Sequence, residues 1–139
     1  MSNPETAAPV DRRRKILIVD DEPDIVRALA LRLKMAGYDV VAATDGAGAL
    51  MTAVTEQPDL MLLDIGLPHG DGHFVAAKLR SNAITAHIPI LFLSARHARS
   101  DLRHARKSGA VGFIEKPYDP EELLQRVGRA FEPQRTAAD

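Results

Sequence analysis

Three kinds of side chain able to support chemistry recur at one kind of place in this sequence, directly after a short apolar run. Asp20 and Asp21 follow Ile16-Leu17-Ile18-Val19, and Asp64 follows Leu60-Met61-Leu62-Leu63. Ser94 follows the run from Ile90 to Leu93, and Lys116-Pro117 follow Gly112-Phe113-Ile114-Glu115. If these runs are neighbouring strands, three carboxylates, a hydroxyl and an ammonium share one rim. Crowded carboxylates resist ionisation unless a cation joins them. Oxygen donors, in a chain without cysteine, favour a hard cation, Mg²⁺, with Mn²⁺ as the alternative. A metal and Lys116 can then neutralise phosphoryl oxygens while Ser94 donates a hydrogen bond, leaving one carboxylate to attack phosphorus and form an aspartyl phosphate. Asp64 is the best-placed nucleophile. It stands alone at the end of what should be the central strand, before the loop Gly66-Leu67-Pro68-His69-Gly70-Asp71-Gly72, which leaves its carboxylate accessible. An aspartate after a strand is, taken singly, a common turn former. It is the combination that argues for a site.

The elements that must position these residues alternate along the chain. Lys15 to Val19 is an Ile/Val-rich run of the kind buried on both faces. Pro23 then suits the first turn of a helix with Val26, Leu29, Ala30 and Leu33 on one face, and Gly37 suits its C-terminal cap. Tyr38 to Ala43 predicts a strand, Gly46 to Glu56 an Ala-rich helix ending before Pro58, and Leu60 to Leu63 a buried strand. A helix over His73 to Arg80, a strand over Ile90 to Leu93, a helix over about 100–107 and a strand over Gly112 to Glu115 follow. The last helix has Asp119 as N-cap, Pro120 at its first position, Glu122 where a capping-box partner belongs, and Leu124, Val127 and Phe131 along one face. Five strands alternating with five helices predict an α/β fold, a doubly wound parallel sheet with right-handed crossovers and helices on both faces. Such sheets bind ligands beyond the carboxyl ends of their strands, which is where the reactive residues lie.

Composition narrows the function. The chain has 139 residues, 18 Lys+Arg against 19 Asp+Glu, and no cysteine, which fits one globular domain and excludes disulfides, thiolate zinc sites and thiol nucleophiles. A net charge of −1 exerts no global pull on nucleic acid or anionic membrane. No apolar run is long enough to span a bilayer, and the N-terminal residues lack the apolar stretch of a signal peptide, so a cytoplasmic protein without membrane insertion is expected. Residues 1–13 and 132–139 are expected to be flexible tails around a domain over 14–131. His69 and His73 have metal-pair spacing, but the glycines and proline around them argue against zinc. Neither a triphosphatase glycine loop nor a helix-turn-helix signal is present.

Four segments, in this order and spacing, carry a resemblance. They are Ile16-Leu17-Ile18-Val19-Asp20-Asp21-Glu22-Pro23, Asp64-Ile65-Gly66-Leu67-Pro68-His69-Gly70-Asp71-Gly72, Leu93-Ser94-Ala95, and Gly109-Ala110-Val111-Gly112-Phe113-Ile114-Glu115-Lys116-Pro117. From about Arg14 to Phe131 the chain resembles the receiver domain of two-component response regulators. The resemblance implies a flavodoxin-like strand order of 2-1-3-4-5. It also implies that Asp64 accepts a phosphoryl group from a sensor histidine kinase or histidine phosphotransfer protein, rather than the chain being an enzyme for an external substrate. Asp21, Asp64 and the Gly66 carbonyl would bind Mg²⁺ directly, and Asp20 through water. Ser94 and Lys116 would contact phosphoryl oxygens, and the Lys116-Pro117 bond would be cis, a minority form.

By the same resemblance, Ser94 and Phe113 would form a switch, the aromatic following the hydroxyl and remodelling a protein-binding surface on the fourth helix, fifth strand and fifth helix. Phe113 lacks the hydroxyl of the more usual tyrosine, so its outward state has less polar anchoring; a fixed core residue is the alternative. Two departures flank the family's hydrolytic-water route: Gly66, two after Asp64, and Arg96, two after Ser94, which could shield the phosphoryl group. Val111-Gly112 stands where winged-helix regulators often carry an acidic pair. The expected output is a stand-alone receiver acting on a downstream protein target, without direct nucleic-acid contact. Arg96, Arg99, Arg103, Arg106 and Lys107 offer a basic face to an acidic partner. A constitutive interaction module is one alternative. A haloacid-dehalogenase-like phosphatase is the other, although that family places its second aspartate two residues after the first, where this chain has Glu22.

Overall fold

The computed structural model describes residues 12–67, 72–94 and 110–132. Within them five strands form one sheet: β1 (Lys15–Val19), β2 (Asp39–Ala43), β3 (Leu60–Asp64), β4 (Ile90–Ser94) and β5 (Gly112–Glu115). The described helices are α1 (Pro23–Met35), α2 (Gly46–Glu56), α3 (Gly72–Arg80) and α4 (Pro120–Ala130), the last being the fifth helix of the sequence prediction. The predicted helix over 100–107 with its basic face, Arg96, His69, and the tails 1–11 and 133–139 lie outside the described residues.

The sheet is parallel throughout, in the order β2-β1-β3-β4-β5, as the resemblance implies. Alternation along each strand divides the core into two layers. Leu17, Val19, Met61, Leu63, Ile90 and Phe92 face Ala49 and Ala53 of α2 and Val75, Ala76 and Leu79 of α3. Ile16, Ile18, Leu60, Leu62, Leu91, Leu93 and Ile114 face Leu29 and Leu33 of α1 and Leu123 and Val127 of α4. The central strands are therefore apolar on both faces over residues 16–19, 60–63 and 90–93, which is why they read as unbroken runs.

Helix ends follow their local chemistry. Pro23 opens α1, and Gly37 beyond its end takes φ 101°, a left-handed conformation that glycine enters without steric cost. Asp45 caps α2 by accepting the Gly48 N–H at 2.7 Å. In α4 the Asp119 carboxylate accepts the Glu121 N–H, not that of Glu122 as a capping box would have it. The buried positions of α4 are Leu123 and Val127, one residue out of phase with the predicted Leu124; Leu124 and Phe131 are only partly buried. At the start of β1, Arg14 lies 4.5 Å above the Phe131 ring, and the Lys15 ammonium meets Glu56 at 2.8 Å.

Leu62 is wholly buried at the middle of the central strand. Leu62→Ala is expected to cost about 2 to 5 kcal/mol of unfolding free energy. Urea denaturation will show a lower midpoint with an unchanged slope.

Candidate functional site: an acidic rim bridged by Lys116

Every reactive residue sits at the carboxyl edge of the sheet because the ladders continue one step past the strands. The Asp20 N–H reaches the Ala43 carbonyl, Ile65 N–H reaches Leu93, and Lys116 N–H reaches the Ser94 carbonyl at 2.6 Å. Asp20, Asp64, Ser94 and Lys116 are thus placed by backbone hydrogen bonds as well as by their own side chains.

Asp20, Asp21 and Asp64 each bring a carboxylate oxygen within 4.8 Å of the other two. Asp20 and Asp64 are buried, and Asp21 is exposed. Lys116 crosses the cluster. Its ammonium lies 2.6 Å from Asp20 Oδ2, 3.5 Å from Asp64 Oδ2 and 3.9 Å from Glu22 Oε1. The remaining oxygen of Asp20 accepts the Glu22 N–H at 3.0 Å, and Asp64 Oδ1 accepts the Gly66 N–H at 3.0 Å. Buried Ser94 ends β4 beside Asp64, whose strand partner is Leu93. The bond between Lys116 and Pro117 is cis.

The electrostatics follow from burial. Desolvation raises the Asp64 carboxyl above its ordinary value; the Gly66 N–H and Lys116 pull it down, and Asp20 pushes it up. Burial by itself would lower the Lys116 ammonium, but the hydrogen bond to Asp20 and the charges of Asp64, Asp20 and Glu22 outweigh it and raise it. The site therefore holds excess negative charge around one cation. Its all-oxygen donors and short spacing fit a hard divalent ion.

Glycines shape access. At Gly66 an added Cβ would meet, among the described residues, only Asp64 Oδ1, at 3.7 Å. At Gly72 it would lie 2.7 Å from the Asp64 carbonyl oxygen and 2.8 Å from Ile65 Cα, so only glycine lets α3 start against the end of β3. The Gly72 N–H, bonded to the Ile65 carbonyl, closes the loop after Asp64. Gly72 and Glu22 carry contacts that the sequence reading did not assign them. The glycine's place in the loop was visible but not its contact, and Glu22 was legible only as the neighbour of Asp20-Asp21.

Phe113 is half-buried against the α2/α3 core layer, opposite Phe92 in the strand register. The His73 ring packs against Phe92 at 5.3 Å between ring centres, tilted by 50°.

The response regulator receiver domain family model matches residues 16–128. The chain belongs to this family. The chain is 45% identical over 113 residues to the DNA-binding dual master transcriptional regulator RpaA of Synechocystis, covering 81% of this chain and 47% of that protein. With the transcriptional regulatory protein KdpE of Mycobacterium tuberculosis it shares 41% over 124 residues, 89% of this chain and 54% of that protein. The chain thus spans about half the length of these curated relatives. Among solved structures, the chemotaxis response regulator CheY4 of Vibrio cholerae superposes with a TM-score of 0.81 at 30% identity, covering 86% of this chain and all of that one. A receiver domain belongs to signalling rather than to the classical enzymes, and neither the phosphatase nor the constitutive-module alternative is favoured. No helix among the described residues is long and apolar enough to cross a membrane.

The burial that raises Asp64 has a consequence for the receiver's stability. A carboxyl whose folded-state value is raised stabilises the fold below its unfolded value, and that contribution is lost as pH rises through the raised value. Asp64→Asn removes the disfavoured charge. Without divalent cation at pH 7 it is expected to be more stable by about 1 kcal/mol, roughly 3 to 5 °C in thermal midpoint. The gain will shrink as pH falls into the ordinary aspartate range, as calorimetry across a pH series will show.

Proposed function

We propose that this receiver domain accepts a phosphoryl group on Asp64 and passes the resulting change to a partner protein. The observation that carries this reading is the convergence of three carboxylates, two of them paired with one lysine, beside a buried hydroxyl at the end of the central strand. In the transfer, an Asp64 carboxylate oxygen attacks phosphorus as the phosphorus–nitrogen bond of a donor phosphohistidine breaks. The bonding pair returns to the imidazole nitrogen. Lys116 balances the charge on the phosphoryl oxygens, and the Ser94 hydroxyl donates to one of them. The Gly66 N–H orients the carboxylate through Oδ1. Asp21, Asp64 and the Gly66 carbonyl are the residues to hold Mg²⁺ directly, with Asp20 acting through water. Bound there, the ion supplies charge neutralisation that one lysine cannot provide alone.

The donor is a histidine kinase or histidine phosphotransfer protein, and small phosphoryl donors react at the same aspartate. A groove of about 560 Å³ leads away from Lys116 between α1 and the segment before α4, over Ile25, Ala28, Leu29, Pro117 and Tyr118. Its apolar lining, adjoining Lys116, supports docking of the donor protein there. Output runs through the β5/α4 face, with Ser94 and Phe113 as the moving pair, to a downstream protein in the cytoplasm.

Incubation with acetyl phosphate and Mg²⁺, followed by intact-mass measurement, is expected to add one labile phosphoryl group to the wild type and none to Asp64→Ala. Labelling of Asp64→Ala to the wild-type extent would overturn Asp64 as acceptor. Mg²⁺ at a hundred times its dissociation constant should stabilise the wild type by about 2.7 kcal/mol, a gain lost on chelation. A thermal midpoint indifferent to Mg²⁺ would reject the metal site.

A further inference from the structure

On the β5/α4 face, Gly112 has no backbone reason to be glycine. Gly37 is the described glycine with a left-handed φ, and Gly112 is not in that region. What it supplies is space. A Cβ there would lie 2.7 Å from Nη2 of Arg126 and 2.8 Å from Leu91 Cδ1. The half-buried Arg126 guanidinium lies in the gap and donates from Nη2 to the Phe113 carbonyl at 3.2 Å. No carboxylate of the described residues forms an ion pair with it. The gap borders a cavity of about 270 Å³ lined by Leu91, Val111, Arg126, Arg129, Ala130 and Glu132.

We propose that Arg126 is a latch between α4 and β5, closing through the slot left by Gly112, and that it restrains Phe113 and thereby holds back phosphorylation of the domain. The carbonyl that Arg126 holds and the ring that faces the core belong to one residue. A backbone adjustment that carries the ring towards Ser94 also turns this carbonyl, and a guanidinium confined between Leu91 and Gly112 cannot follow it. The latch thus favours the arrangement in which β5 is tied to α4. A contact made in one arrangement and lost in the other biases the equilibrium between them, and by linkage opposes whatever the other arrangement binds better. The gating half of the proposal rests on Asp64 being the phosphoacceptor; the latch half does not.

Two single variants approach the latch from opposite sides. Gly112→Ala displaces Arg126 while leaving its charge, and Arg126→Gln removes the guanidinium while leaving the slot. Each is expected to accelerate hydrogen exchange of the β5 amides severalfold, and the double variant no more than either single one. With acetyl phosphate and Mg²⁺, each single variant should label about two- to tenfold faster than the wild type, the bias that one net hydrogen bond provides. If Gly112→Ala does not fold, Arg126→Gln and Arg126→Lys carry the comparison. β5 exchange unchanged in Arg126→Gln overturns the latch. Faster exchange with wild-type labelling rates overturns the gating. A wild type that takes no label overturns the phosphoacceptor reading and the gating with it, while the exchange rates still decide the latch.

Discussion

The site depends on one ammonium group. Asp20 is wholly buried at the end of β1 and Asp64 nearly so at the end of β3, and two such carboxylates side by side would not both ionise unaided. Lys116 reaches them from the far end of β5, 96 residues after Asp20, and makes the cluster tolerable without making it neutral. That reach requires the parallel order, because only when β1, β3, β4 and β5 all end on one edge do their next residues meet. The ladder bond from the Lys116 N–H to the Ser94 carbonyl fixes the root of the side chain. The negative charge that remains uncompensated suits the cluster to a hard divalent cation and is not a flaw in packing.

The demands of fold and site are divided along the chain. Residues inside the strands alternate between two apolar layers, and the polar residues of the site occupy the last strand positions or those just beyond, where the ladder still holds the backbone. This separation lets the sheet be rigid while the site keeps an unfavourable charge distribution, since buried Leu, Ile and Val on both faces supply stability that the rim subtracts from. Gly66 and Gly72 act oppositely at the same loop. One leaves room beside the carboxylate, and the other lets α3 press against the backbone carrying it.

Much of this was legible in the sequence because parallel sheets write themselves as apolar runs and their rims as abrupt changes of residue type. Leu60 to Asp64 shows both in five letters. The placement of Asp20, Asp64, Ser94 and Lys116 on one edge followed from alternation alone, and their chemistry from residue type. What did not follow was pairwise. That the second oxygen of Asp20 is occupied by the Glu22 N–H, or that the buried phase of α4 runs through Leu123 rather than Leu124, depends on relative rotation of elements. Adjacent leucines give no periodic signal to choose between them. The cap on α4 is similar: Asp119 was evident as the N-cap, but whether it bonds the Glu121 or the Glu122 N–H is decided by local geometry.

Gly112 shows the limit in its clearest form. Within a strand a glycine reads as a weak point, with no side chain to pack and excess entropy to lose. In space it is the complement of an arginine fourteen positions later, and its smallness is filled by a guanidinium rather than wasted. A side chain from α4 that bonds the β5 backbone ties helix to strand in addition to the apolar layer that Ile114 shares with Leu123 and Val127. That contact holds the main-chain carbonyl of Phe113, the one aromatic residue on β5.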